Sequence, residues 1–95
     1  MVAWVYIMTN RKNGTLYIGV TSKLAQRVYE HQRGIFGGFT QQYGLDRLVY
    51  VEEHPTMPLA IEREKRLKKW HRAWKVRLIH RDNPEWDDPA KYLMA

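Results

Sequence analysis

A chain of 95 residues, 44% of them apolar, is enough for one small domain with a modest core and too rich in aliphatic and aromatic side chains for a disordered tail. It has no cysteine, which excludes a disulfide frame and a thiolate zinc site, and no apolar run approaches the ~18 residues of a membrane span. Sixteen basic against ten acidic residues leave a net charge of +6, which points to polyanionic partners.

Residues 3–9 and 15–20 are β-branched and aromatic-rich and are expected to be strands. Asn13-Gly14 between them is a strong hairpin signal, because both residues tolerate positive φ. With these two at the centre of the turn, Tyr6 faces Thr21 and Met8 faces Gly19. Alternation then puts Tyr6, Tyr17 and Gly19 on one face, and Val5, Ile7, Ile18 and Val20 on the other. The aliphatic face is the expected core side. That leaves the tyrosines together opposite it, beside a glycine with no side chain to obstruct approach.

Thr21 or Ser22 is placed to cap a helix over residues 23–33, with Leu24 and Val28 inward and Arg27 and His31 forming a neighbouring ridge. Residues 34–44 hold four glycines and are expected to form an irregular loop, docked in part through Ile35, Phe36 and Phe39. A third strand is expected at 46–53, with Leu48, Tyr50 and Glu52 on one face and Val49 and Val51 on the other. Pro55 and Pro58 punctuate the next turn. From Leu59 to Asp82 there is no Pro or Gly, and one helix of that length is long for so small a domain, so two helices joined near Trp70 are expected. The tail opens with Asn83-Pro84-Glu85-Trp86 and is expected to pack through Trp86 and Tyr92. The order is β-β-α-β-α-α, an α+β fold in a single domain over residues 1–95.

From Arg63 to Arg81 there are nine Lys or Arg and one acid, Glu64. Such a run attracts a polyanion through counterion release; its plain alternative is a solvated helix face. Trp70 and Trp74 favour neither, because tryptophans at i, i+4 are more often core than base-stacking platforms. Glu64 interrupts the apolar stripe of Ala60, Ile61, Leu67 and Leu78. A carboxylate there needs a metal ion, a raised pKa or a cation partner such as Arg27, Arg63 or Lys68. Singly, His31 reads as a surface or hydrogen-bonded core histidine, Arg27 as a salt-bridge partner and the tyrosines as strand aromatics. Two phenols, a guanidinium, an imidazole and a carboxylate on one side of a small domain suit attack on a phosphodiester.

In order and spacing these residues resemble the GIY-YIG nuclease superfamily. Its first motif is degraded to Trp4-Val5-Tyr6, its second is intact as Tyr17-Ile18-Gly19, and its Arg-and-His helix motif matches Arg27 and His31. Its later glutamate matches Glu64 and its closing asparagine matches Asn83. Lys68-Lys69-Trp70 and Asn83-Pro84-Glu85-Trp86 are similar to segments of the small stand-alone bacterial branch, related to the nuclease domain of an excision-repair incision subunit.

The resemblance implies a three-stranded antiparallel sheet flanked by helices and metal-dependent cleavage of DNA. Glu64 would hold one Mg²⁺ or Mn²⁺ ion and Arg27 would clamp a phosphate oxygen. Tyr17 would take a proton from the attacking water, with Tyr6 and His31 positioning it or sharing the proton. A free phenol has a pKa near ~10, so that base needs adjacent cations. Gly19, Lys65, Lys68, Lys69, Arg72 and Asn83 are expected on the surface that meets the nucleic acid. Trp4 stands where the first motif has its glycine. Val20 stands where the excision-repair relatives carry a lysine, which removes a cationic helper. Cutting both strands would call for a homodimer or a partner protein. A binding module of the same fold without activity, and a protein-interaction domain for an acidic partner, are the alternatives. No basic–apolar–small leader pattern opens the chain, so a cytoplasmic, reducing setting is expected.

Overall fold

The computed structural model describes residues 1–34 and 43–87. Its elements run β1 Ala3–Thr9, β2 Leu16–Thr21, α1 Leu24–Gln32, β3 Arg47–His54, α2 Met57–Lys69 and α3 Arg72–Asp82. The strands form an antiparallel sheet in the order β2-β1-β3. This is the α+β architecture and element order expected from the sequence.

The hairpin differs from expectation in register but not in parity. Its connection is longer than two residues: Gly14 N–H donates to the Arg11 carbonyl at 2.9 Å, and Asn10 Oδ1 accepts from Thr15 N–H at 3.1 Å. Of the two turn residues, Asn13 alone takes positive φ (60°). The strands therefore pair two residues away from the expected register, with Tyr6 opposite Gly19 and Met8 opposite Tyr17. An even shift leaves every side chain on its expected face.

Both faces of the sheet are buried, a correction to the open tyrosine face. Val5, Ile7 and Ile18 join Ala60, Leu67, Leu78, Ile79 and Trp86 in one cluster, under α2 and α3. Tyr6 and Met8 join Leu24, Val28, Leu45 and Leu48 in a second, under α1. With only three strands, the central β1 needs cover on both sides, and α1 supplies the second layer.

A bulge breaks the alternation expected of β3. Ile7 pairs with Tyr50 and Met8 with Leu48, leaving Val49 outside the ladder. Leu48 therefore joins the tyrosine-side cluster while Tyr50 joins the aliphatic one, on opposite faces.

Thr21 Oγ1 accepts from Lys23 N–H at 3.0 Å, one residue ahead of α1, so it shapes the entry without capping the helix. Thr56 Oγ1 accepts from Leu59 N–H at 3.4 Å and caps α2, with Pro58 in the first turn where its missing N–H costs nothing. An extended Trp70 ends α2 and α3 begins at Arg72, giving the two helices expected. Trp86 is fully buried, as expected of the tail. Expectations for Ile35, Phe36, Phe39 and Tyr92 fall outside the described residues. Among those described, no helix is long and apolar enough to cross a membrane.

Candidate active site

Strand parity brings Tyr6 and Tyr17 to one face, and α1 lays His31 across them. The three rings form a triangle, with centroids 6.3 Å apart for Tyr6–Tyr17, 5.6 Å for Tyr6–His31 and 5.4 Å for Tyr17–His31. The Tyr6 hydroxyl and His31 Nε2 share a hydrogen bond of 3.0 Å. Leu24 and Val28 anchor the helix, so the register that buries them also delivers His31 one turn further on.

Burial governs the electrostatics here. It pushes the Tyr6 phenol above its ordinary range, aided by Tyr17 and opposed by the Arg27 charge, with smaller upward pushes from Glu64 and Glu30. His31, 4% exposed, is lowered to about 4, first by burial and then by Arg27, with Glu30 opposing. Both groups are therefore neutral near pH 7. Tyr17 is the more exposed of the two phenols.

Arg27 Nε lies 3.4 Å from Glu30 Oε1, and the guanidinium lines a cleft of about 170 Å³ with Val20, Lys23, Gln26, Glu30 and Met57. Glu64 projects from the inward stripe of α2, its side chain 14% exposed, and pairs with Lys68 Nζ at 3.2 Å. Of the three cation partners considered, Lys68 is the one found. Lys68 is itself 53% exposed, so the pair meets water and is not a dry structural bridge. Arg63 instead bonds Glu52 at 2.8 Å, and Glu52 also accepts from Tyr50 (2.5 Å) and bonds His54 (2.8 Å). That network is absent from the sequence reading, although Tyr50, Glu52 and His54 alternate on one strand face.

Helical geometry at 3.6 residues per turn sorts the basic residues. Lys65 and Lys68 share the flank next to Glu64. Lys69 points outward with Glu62 and Arg66, away from the site, and Arg63 and Trp70 occupy the opposite flank.

Three residues expected on the nucleic-acid surface also make contacts that hold the fold. Gly19 is buried, and a Cβ there would run into the Tyr6 ring and hydroxyl, so the glycine makes room for Tyr6. Arg72 Nη2 donates to the carbonyls of Asn13 (2.9 Å) and Gly14 (2.6 Å), tying α3 to the hairpin turn. Asn83 Nδ2 donates to the carbonyls of Val49 (3.1 Å) and Asp87 (2.8 Å), and its Oδ1 accepts from Asp87 N–H (2.9 Å). Its carboxamide thus fastens the tail to the β3 bulge.

Among the described residues no group of three or more His, Cys, Asp or Glu could cage a metal. One sheltered carboxylate opening to water does not suit zinc, which wants a near-complete set of protein ligands. It fits a hard cation such as Mg²⁺ or Mn²⁺ that keeps several waters and completes its shell with phosphate oxygens.

Paired strand tyrosines, an Arg-and-His helix and a glutamate on the next helix, on a β2-β1-β3 sheet, define the GIY-YIG class of domain, which is of nuclease type and acts on nucleic acid. The chain belongs to this family: residues 2–77 match the model of the GIY-YIG catalytic domain. Within it, the chain is similar to UPF0213 proteins. It is 35% identical over 83 residues to one from Syntrophus aciditrophicus, covering 86% of this chain and 93% of that protein. It is 34% identical over 77 residues to one from Streptococcus sanguinis, covering 81% and 87% respectively. The solution NMR structure of a UPF0213 protein from Bacillus halodurans matches with a TM-score of 0.57 at 28% identity, over 92% of both chains.

Proposed function

We propose that this protein is a divalent-metal-dependent DNA endonuclease that is structure-selective or of low sequence specificity. One observation carries the reading: the rings of Tyr6, Tyr17 and His31 pack with centroids within 6.3 Å of one another, with Arg27 one helical turn before His31 on α1. Groups from two strands and a helix thus meet on one side of the sheet.

Glu64 would hold one Mg²⁺ or Mn²⁺ ion. When bound, such an ion supplies positive charge against the scissile phosphate and the leaving oxygen. Arg27, at the cleft wall, gives charge-assisted hydrogen bonds to a non-bridging oxygen, exchanging Glu30 for phosphate. Tyr17, as its phenolate, accepts a proton from water; the water oxygen adds to phosphorus as the bond to the leaving sugar oxygen breaks, and that oxygen departs with the bonding pair and takes a proton from solvent. The neutral Tyr6–His31 pair packs against the Tyr17 ring and positions it. Lys65 and Lys68, on the Glu64 flank, draw in the phosphate backbone. A single site cuts one strand at a time, so cutting both requires a homodimer or a partner protein.

The test is incubation with supercoiled, branched and single-stranded DNA and Mg²⁺ or Mn²⁺. Cleavage should fall by about 10²-fold or more in Glu64→Gln and Tyr17→Phe, with binding retained. Binding without nicking by the wild-type protein would reduce the domain to a binding module. Undetectable DNA affinity at low salt would favour an acidic protein partner.

A further inference from the structure

A second surface of the basic region has no part in the chemistry above. Trp70, Trp74, Arg77, Leu78 and Arg81 line a groove of about 490 Å³ on the aliphatic side of the sheet, a volume suited to a nucleotide-sized group. On α3, Trp74, Arg77, Leu78 and Arg81 recur at i, i+3, i+4 and i+7, one stripe of the helix. Trp70 continues that wall from the end of α2, on the flank turned away from Glu64 and Lys68.

The indoles meet edge to face, with centroids 5.9 Å apart, and the Arg63 guanidinium lies over Trp70 at 5.2 Å. Trp74 is 49% exposed, while Trp86 is fully buried in the core. An indole open to water adds little to folding; its large π face is available for stacking. Every charged side chain lining the groove is a guanidinium. Arg77 makes no hydrogen bond or ion pair among the described residues, and Arg81, whose guanidinium is exposed, pairs with the exposed Asp82 at 3.3 Å and reaches the Tyr50 hydroxyl. One helical turn separates the two arginines, which lets them serve neighbouring phosphates of one strand.

We propose that this groove binds single-stranded nucleic acid, an unpaired base stacking on Trp74 against the Trp70 corner while Arg77 and Arg81 hold the flanking phosphates. Charge complementarity selects a polyanion, and the paired indoles select one with bases. The inference deepens the nucleic-acid reading by naming a strand form and a second site. It fits a domain whose substrate carries unpaired segments away from the bond to be cut, since the groove lies on the opposite side of the sheet from Tyr6 and Tyr17.

The test is fluorescence anisotropy with a labelled single-stranded oligonucleotide and a matching strand with abasic positions, in EDTA so that no strand is cut. Trp74→Ala should weaken binding of the intact strand about 5- to 100-fold and leave the abasic strand unaffected, with Trp74→Phe restoring much of the loss. Arg77→Ala and Arg81→Ala should each flatten the salt dependence of binding to both strands. These side chains are exposed, and circular dichroism checks that each variant folds. Equal loss on intact and abasic strands, or none on either, overturns the proposal. So does a Trp74→Ala variant whose only change is loss of self-association, since the groove then covers a second copy of this chain. Nicking sensitive to Glu64→Gln is read separately, so the nuclease reading and the groove fail independently.

Discussion

Acid should destabilise this protein through His31, by an amount the structure sets. The imidazole is 4% exposed, bonded to the Tyr6 hydroxyl and next to the Arg27 charge, and its pKa falls from 6.5 to about 4. The unfolded chain lacks that environment and takes up the proton near 6.5. Between those values it binds more protons than the folded chain, so stability rises with pH there and is lost as pH falls. Integrated from pH 7 to pH 4, the loss from this one group is about 3 kcal/mol, a sizeable share of the ~5–15 kcal/mol that holds a small domain together. Urea unfolding at a series of pH values, on wild type and His31→Gln, isolates it. Every carboxylate contributes to both curves, and only the wild-type curve carries the imidazole. The gap between the curves should change by about 3 kcal/mol across the window, with the wild type falling faster. Parallel curves, or a His31 ring resonance titrating near 6.5, would refute the claim that burial and Arg27 hold the ring neutral.

Gly19→Ala sets a Cβ against the Tyr6 ring; a cost of about 1–3 kcal/mol is expected, with cleavage impaired more than DNA binding, measured by thermal melts and nicking. Asn83→Ala removes three hydrogen bonds that hold the tail on β3 and should cost about 1–3 kcal/mol, while affinity for duplex DNA stays at the wild-type value; a selective loss of affinity would restore the asparagine to the nucleic-acid surface. Glu52→Ala strips three partners of their shared acceptor and should lower the urea midpoint without altering the cleavage rate, because its network ties β3 to α2 on the flank remote from Glu64.

Much of the candidate site was legible because its placement depends on short-range periodicity. The i, i+4 step carried Arg27 and His31 onto one ridge of α1, and Tyr6 and Tyr17 survived a two-residue register shift on the same face. Glu64 stood out as a charge on an apolar stripe. Its partner was not legible, because Arg27, Arg63 and Lys68 were equally available on paper. The network on Glu52 claimed Arg63, Glu30 paired with Arg27, and Lys68 was left to Glu64.

Chain order, element type and strand parity were thus written in the residues themselves, since each depends on neighbours within a turn of helix or a few strand positions. The tertiary structure decided what depends on distant surfaces meeting. The β3 bulge sends Leu48 and Tyr50 to opposite cores, and the α1 layer turns an open tyrosine face into a buried one. The fold-holding contacts of Gly19, Arg72 and Asn83 likewise come from groups on other elements that their own spacing does not show. A polar side chain's partner is set by competition in three dimensions, and sequence spacing carries no record of that contest.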